Sequence, residues 1–315
     1  MQSMRERVVI LGTGGTIAGT AAQSGDNVGY TAAQLGVAHL VAAVPALAGE
    51  SIEAEQVAQL DSKDMDHATW QRLAARASHH LARPEVAGVV VTHGTDTLEE
   101  TAYFLHRTLA PARPIVLTAA MRPATSLQPD GPQNLLDAVR VARSDTAQGV
   151  VVVFGGEVHD ARDVRKRHTY RLDAFGSGDA GVIAQIEEGT LRIHRPWPAG
   201  EAFGLDALPA DVAAWPRVEI VHSHANADGR IVRALCADGV RGLVVAATGN
   251  GTLHHALETA LREARAQGVA VLRSSRCLDG ALLDAPHDTD ALPSAGALTP
   301  VKARIELMLQ LMRAP

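Results

Sequence analysis

The chain has 315 residues, 46% of them hydrophobic and 20% charged, too long for one compact core and apolar enough to bury two. Its 29 lysines and arginines against 35 aspartates and glutamates leave a net charge of −6, without the basic stripe that displaces counterions from a nucleic acid. Aromatics at 3% supply few platforms for stacking bases. Pro, Gly, His or a charge interrupts every apolar run before it reaches the length of a bilayer, which argues against a membrane role. The two cysteines, Cys236 and Cys277, cannot build a disulfide framework or a cysteine metal site, and are expected as buried thiols acting as small hydrophobes. The start leads from Arg7 into the apolar run 8–11 and then glycine, shorter than a signal-peptide core and without a small-residue cleavage site, so a cytoplasmic protein is expected.

Taken in chain order, short β-branched runs alternate with longer amphipathic stretches. Runs 8–11, 87–92, 114–118 and 149–154 are continuously apolar, as strands covered on both faces should be. Helix-like segments lie near 31–44, 64–81, 97–109 and 132–143. The alternation predicts a flavodoxin-like parallel sheet with crossover helices. It lapses at Arg195-Pro196-Trp197-Pro198 and again at Pro209 and Pro216, then restarts with runs 218–221, 242–247 and 269–273 and helices between them. A last helix opens at Thr299-Pro300, with threonine as N-cap and proline in the first turn. The expected organisation is a larger N-terminal α/β domain over 1–195, a linker over 196–216 and a smaller C-terminal α/β domain over 217–315.

In an open parallel sheet, ligands bind at the carboxyl ends of the strands, and the unusual residues stand there. After the first run comes Gly12-Thr13-Gly14-Gly15-Thr16-Ile17-Ala18-Gly19. Ile17 stands where a dinucleotide fingerprint needs its third glycine, and no lysine follows as a P-loop requires. What remains is a tight turn with two threonine hydroxyls and exposed amides, which a purely structural turn would also present. After run 87–92 comes Thr92-His93-Gly94-Thr95-Asp96-Thr97-Leu98-Glu99-Glu100. Thr97 and Glu100 have the spacing of a capping box. Thr95 and Asp96 then precede a helix N-terminus, where amides favour an anion; a hydroxyl, a carboxylate and free amides suit a small polar substrate. The charged run 160–168 ordinarily forms a solvated face, but Lys166 held beside threonine hydroxyls would lower the cost of ionising one of them. None of the 14 histidines forms a helical zinc pair with a partner glutamate, and there is no Gly-x-Ser-x-Gly elbow. No metal or cofactor is expected, and the available nucleophiles are threonines.

Several segments together resemble the bacterial-type L-asparaginase and glutaminase-asparaginase family, in the same order over nearly the whole chain. They are Thr13-Gly14-Gly15-Thr16-Ile17-Ala18-Gly19, Tyr30-Thr31, Ser62-Lys63-Asp64-Met65, the stretch from His93 to Tyr103, Ala120-Met121-Arg122-Pro123, Gly131-Pro132, Gly249-Asn250-Gly251 and Arg273-Ser274-Ser275-Arg276. The resemblance implies that Thr16 is the nucleophile or its immediate equivalent and that Tyr30, on a loop after the first strand, helps take its proton. It implies a second cluster of Thr95, Asp96 and Lys166, with the lysine polarising Thr95. Groups around Gly15, Gly94, Thr95 and Ala120 would hold the amide and its oxyanion; Ser62 and Asp96 would hold the amino-acid end. Asn250 would reach in from a neighbouring subunit of a homotetramer, a dimer of dimers with sites at the dimer contact. The implied reaction is hydrolysis of L-asparagine to L-aspartate and ammonia, either through an acyl-threonine or by direct attack of water.

Two positions depart from the family pattern, both near the substrate's α-ammonium. Lys63 replaces the usual Gln or Glu; an ammonium about 4 Å from the ligand's would repel it by roughly 4 kcal/mol at an effective dielectric of 20, unless it turns to solvent. The stretch 280–287 is shortened, with Pro286 where a glutamate is expected and Asp284 as a substitute. Hence a second reading: the same threonine chemistry on glutamine or on an acid amide whose α-nitrogen is absent or masked. A binding or amidotransferase-type subunit and a nucleotide-dependent oxidoreductase are the alternatives from other classes, the latter opposed by the missing third glycine.

Overall fold

The computed structural model describes residues 6–23, 25–284 and 291–313. In the first compact unit, β1 (Arg7–Gly14), α1 (Val37–Ala42), β2 (Ile52–Leu60), α2 (His67–Leu81), β3 (Val86–Thr92), α3 (Leu98–Leu109), β4 (Ile115–Thr118), α4 (Gly131–Arg143) and β5 (Val150–Phe154) follow one another. β1, β3, β4 and β5 coincide with the continuously apolar runs, because each is covered on both faces: Val8, Ile10, Val90, Val116 and Val151 have no exposed surface and share one core with Leu135 and Ala138 of α4. The five strands pair in parallel in the order β2-β1-β3-β4-β5, the flavodoxin-like order. The sheet then continues antiparallel through β6 (Glu157–Asp160), β9 (Ala184–Glu187) and β10 (Thr190–Ile193) to eight strands. Between β6 and β9, β7 (Arg165–Lys166) and β8 (Phe175–Gly176) form a separate two-residue ladder.

This order positions the site. The chain leaves β1 for β2 on one side and returns to β3 on the other, so the loops after β1 and β3 diverge and leave a crevice between adjacent carboxyl ends. Two elements differ from expectation. The helix expected over 31–44 is reduced to α1, because the backbone at 33–35 is tied to the glycine turn instead: Ala33 N donates to Gly15 O at 3.0 Å, and Gln34 and Leu35 N to Ala18 O at 2.7 and 2.9 Å. Strand β2, Ile-Glu-Ala-Glu-Gln-Val-Ala-Gln-Leu, lacks an apolar run because it is an edge strand, held on one face by ion pairs to α2. Helix α2 itself begins at His67, where the Asp66 carboxylate accepts from Thr69 N at 2.7 Å.

Contacts along the chain divide at Leu205 and Asp206. Within the first unit, Phe203 N donates to Arg107 O at 2.7 Å and Gly204 N to Thr108 O at 3.0 Å, so part of the proline-marked stretch lies on α3. The second unit holds β11 (Val218–His222), α5 (Arg230–Ala237), β12 (Gly242–Ala247), α6 (His255–Ala266), β13 (Ala270–Ser275) and α7 (Pro300–Arg313), with the three strands parallel in sequence order. Val232 of α5 and Leu257 and Leu261 of α6 share a core with Val245 and Val271. The last helix opens at Pro300 as expected, but the Thr299 hydroxyl meets no hydrogen-bond partner among the described residues and caps nothing. The cysteines also depart from expectation: Cys236 is half-buried on α5, and Cys277 is exposed in the loop after β13. Among the described residues no helix is long and apolar enough to cross a membrane.

The β2–α2 ion pairs make a pH-dependent contribution to stability. Arg76 donates to both oxygens of Glu55 at 2.7 and 2.9 Å. Arg83 Nη1 donates to His80 Nδ1 at 3.0 Å, which leaves His80 Nε2–H to donate to Glu55 at 2.7 Å. Held first by Arg76 and then by His80, the Glu55 carboxyl falls from 4.5 to about 2. A depressed folded-state value gives stability that is complete above the unfolded value and is lost as pH falls toward the folded one. In urea titrations, the stability gap between the parent and Glu55→Gln is therefore expected to be widest above pH 4.5 and to shrink as pH falls toward 2; a constant gap would remove the carboxylate from acid stability.

Candidate active site

The site begins with two glycines. Gly14 and Gly15 close β1 with φ of 107° and 82°, left-handed values open to glycine. A Cβ on Gly15 would overlap the Cα and N of Gly94, and a Cβ on Gly94 would overlap the Ser62 hydroxyl and stand 3.1 Å from Gly15 Cα. The loops after β1 and β3 thus meet backbone against backbone. Of the two threonines in the first loop, Thr13 is engaged structurally: its hydroxyl donates to Thr92 O at 2.9 Å, joining β1 to β3. Thr16 opens the 3₁₀ turn Thr16–Ala18, only 6% exposed, with its Oγ1 2.6 Å from the Tyr30 hydroxyl. Thr20 and Thr31 pair through reciprocal backbone bonds of 3.0 and 2.9 Å, which brings Tyr30 back over the turn. A Cβ at Gly19 would stand 2.8 Å from Tyr30 Cδ2, so the ring lies against bare backbone.

The second cluster gathers at the start of α3. Lys166 Nζ donates to Thr95 Oγ1 at 2.8 Å and to Asp96 Oδ1 at 2.6 Å. With its oxygen accepting from an ammonium, the Thr95 hydroxyl turns its own proton outward as a strengthened donor. The charged run around Lys166 is therefore not a solvated face; Asp160 too is buried and accepts from Arg162 at 2.7 Å. Nor does the expected capping box form. Thr97 makes no side-chain cap; its hydroxyl donates to Ser62 O at 2.7 Å, while Asp96 N donates to Ser62 Oγ at 3.2 Å. The cap was given up for a clasp between the loops after β2 and β3.

Residues that sequence reasoning left aside hold these loops in place. His93 has no exposed surface, and burial lowers its imidazole to about 4, so it is neutral. Its Nδ1–H donates to Gly94 O at 2.7 Å; Nε2 then accepts from the Thr101 hydroxyl at 3.0 Å, whose oxygen accepts from Trp70 Nε1 at 2.8 Å. Every donor and acceptor along this chain is matched. At the end of β4, the Ala119-Ala120 turn is held by α4: Asn134 Nδ2 donates to Ala119 O at 3.0 Å, and Asp130 accepts from Met121 N and Arg122 N at 2.9 and 3.0 Å. The segments of the family resemblance from His93 to Tyr103, at Ala120-Met121-Arg122-Pro123 and at Gly131-Pro132 ran through or beside these residues without giving His93, Thr101, Asp130 or Asn134 a role.

Thr16, Tyr30, Gly15, Gly94, Ser62, Thr95, Asp96 and Lys166 are thus linked by direct contacts, and Ala120 lies in the turn that follows β4, the strand beside β3. Lys63 stands apart. Its ammonium bonds Asp64 at 2.9 Å and Asp61 at 3.1 Å with the side chain 61% exposed. Asn250 belongs to the second unit, where its amide is matched on both ends by Leu283, donating to its carbonyl at 2.9 Å and accepting from its N–H at 2.8 Å. Arg273 donates to Asp284 at 2.7 Å. Pro286 lies outside the described residues. Among the described residues no three His, Cys, Asp or Glu side chains are arranged to hold a metal ion. Chemically the site offers two threonine hydroxyls with different proton-handling partners, a phenol and an ammonium, which is equipment for attack on a carbonyl group.

The chain matches the family model Asparaginase, N-terminal, over residues 7–199, and the Glutaminase/Asparaginase C-terminal domain over 217–314. It is 39% identical over 313 residues to L-asparaginase 2 of Escherichia coli (strain K12), covering 96% of this chain and 88% of that protein. It is 36% identical to the glutaminase-asparaginase of Pseudomonas fluorescens biotype A, covering 97% and 86%. The crystal structure of a probable cytoplasmic L-asparaginase from Campylobacter jejuni matches with a TM-score of 0.91 at 36% identity, over 98% of this chain and 96% of that one.

The paired glycines give a direct test of the site's frame. Gly94→Ala places a methyl on the Ser62 hydroxyl and against Gly15, overpacking of the kind that costs about 1–3 kcal/mol. A lowered melting temperature together with loss of turnover is expected; a variant with both unchanged would show that the loops do not need this approach.

Proposed function

The chain belongs to the asparaginase family and is an asparaginase-type amidohydrolase, and on that premise we propose that it hydrolyses L-asparagine to L-aspartate and ammonia with Thr16 as nucleophile. The observation that carries this reading is the 2.6 Å contact between Thr16 Oγ1 and the Tyr30 hydroxyl. A carboxamide resists hydrolysis because its nitrogen leaves poorly, so a site must both activate a nucleophile and protonate the departing ammonia. Thr16 attacks the amide carbon while its proton passes to Tyr30 Oη and the phenol's own proton passes on toward the nitrogen. The phenol relays and ends unchanged. Backbone N–H groups of the glycine loops and the Thr95 hydroxyl, strengthened by Lys166, face the oxygen that gains charge. Ammonia leaves, and water cleaves the acyl-threonine to acid and free Thr16. The β-branch of threonine limits its rotamers and keeps the hydroxyl aimed.

Ser62 and Asp96 take the amino-acid end of the substrate in this reading. The bonds of Asn250 to Leu283 suit a part in shaping the segment before Asp284, with the complete site formed between copies of the chain. The cytoplasmic location expected from the sequence belongs to the same proposal, and the likeness to a probable cytoplasmic L-asparaginase supports it. The case for an amide without an α-ammonium is weak on this geometry: Lys63 faces two carboxylates in solvent, which offset its charge before it reaches a ligand.

Ammonia release from L-asparagine by Thr16→Ala tests the central claim. Activity should fall by several orders of magnitude with fold and assembly intact, because members of a catalytic cluster act as a unit; turnover near that of the parent would remove Thr16 from the mechanism. Lys63→Gln should leave the Michaelis constants for L-asparagine and for succinamate, which lacks the α-nitrogen, within about threefold of the parent, as for other exposed ion pairs. A selective gain on L-asparagine would mean that Lys63 senses the ammonium after all.

A further inference from the structure

We propose that Glu99 is the positioning residue of the second cluster: its carboxylate fixes the backbone of Lys166 and so sets where the lysine ammonium meets Thr95 and Asp96. This rests on the reading of Lys166 as part of the reacting site. Lysine has a flexible four-carbon stem rich in rotamers, and here it starts from a strand of two residues. Arg165 pairs with Gly176 and Lys166 with Phe175, and among the described residues this sheet has two strands; a two-stranded ladder of this kind is marginal by itself.

The backbone directions show what completes the support. Arg167 N donates across the ladder to Ala174 O at 2.7 Å. Since N–H groups alternate along a strand, that of Lys166 points the other way, toward the edge without a partner strand. Glu99 Oε1 accepts it at 3.1 Å. Glu99 lies in the first turn of α3, where the helix dipole favours a carboxylate, and buried Leu98, Thr101 and Ala102 anchor that turn in the core. Thr95 and Asp96 immediately precede the same helix. Among the described residues, the three groups that accept hydrogen bonds from Lys166 therefore lie within one short stretch, Thr95 to Glu99, at the start of α3: two take the ammonium and one takes the backbone. The side chain must span a distance whose two ends are set by the same helix start.

The test uses the full chain in its native assembly, with ammonia release from L-asparagine as readout. Glu99→Ala should lower kcat about ten- to hundredfold, the scale of an ångström of misplacement at a reacting site, and leave KM within about threefold. Glu99→Gln should restore kcat to within about threefold of the parent, because its amide oxygen still accepts the Lys166 N–H. Should Glu99→Ala not fold, Glu99→Asp, one methylene too short, carries the same expected loss. Parent-like kcat in the shortened variant while Lys166→Met is inactive would overturn the proposal, as would a Glu99→Gln enzyme no better than Glu99→Ala, or a loss confined to KM or to the folded fraction. Parent-like kcat in Lys166→Met would instead overturn the underlying reading of the lysine.

Discussion

Everything at the site depends on two stretches of bare backbone being able to touch. Gly15 and Gly94 follow neighbouring parallel strands at the point where the sheet's connections diverge; Gly94 stands where a side chain on Gly15 would be, and Ser62 where a side chain on Gly94 would be. A parallel sheet fixes the ends of its strands at one level, about 4.8 Å apart between neighbours. The loops leaving them normally need side-chain thickness to separate them. With no Cβ on either side, they close to contact, and the following residues, Thr16 and Thr95, are carried into one crevice. The rest of the machinery attaches to this contact. Gly15 O receives Ala18 N and Ala33 N, which bends the chain toward the Tyr30 loop, and Gly94 O receives the buried imidazole of His93.

Charge is handled in the same economical manner of local matching. The chain is acidic overall, yet cations are matched one by one at and near the candidate site. Lys166 is matched by Asp96, and Arg162 by buried Asp160. A lysine so placed is one of the few ways to strengthen a threonine hydroxyl without a metal or an imidazole, because a charge-assisted bond is roughly twice as strong as a neutral one. His93, which by type alone invites a catalytic role, is excluded from it by burial. Its neutral ring, with one nitrogen donating and the other accepting, serves as a spacer between the Gly94 carbonyl and Thr101.

The parts of the fold that could be read from the sequence are those set by short-range pattern. β1, β3, β4 and β5 showed as continuous apolar runs because both faces of each strand are covered. β2 did not, because an edge strand carrying Glu53 and Glu55 toward α2 has no such pattern. The box spacing of Thr97 and Glu100 promised a cap that a stronger partner, the Ser62 carbonyl, took away. Cys277 belongs to a loop held by Ser275, outside any core, and nothing in its sequence neighbourhood distinguishes it from a buried thiol.

By itself, the sequence determined the α/β class and the two glycine–threonine motifs, since each depends on residues close together along the chain and on the strand period. The tertiary structure decided the contacts through which these groups meet. Residue type alone does not separate Thr13 from Thr16, and the pairing of β1 with β3 gives Thr13 to the Thr92 carbonyl while Thr16 meets Tyr30. Lys166 stands in what ordinarily reads as a solvated charge run, and its bonds to Glu99 and Thr95 tie it instead to the start of α3. Lys63 stands in a site motif, yet its nearest carboxylates are its own neighbours, and they hold it out in water. Pattern specifies what a residue is next to along the chain; a hydrogen bond 2.8 Å long between residues 95 and 166 depends on the path of the whole sheet between them.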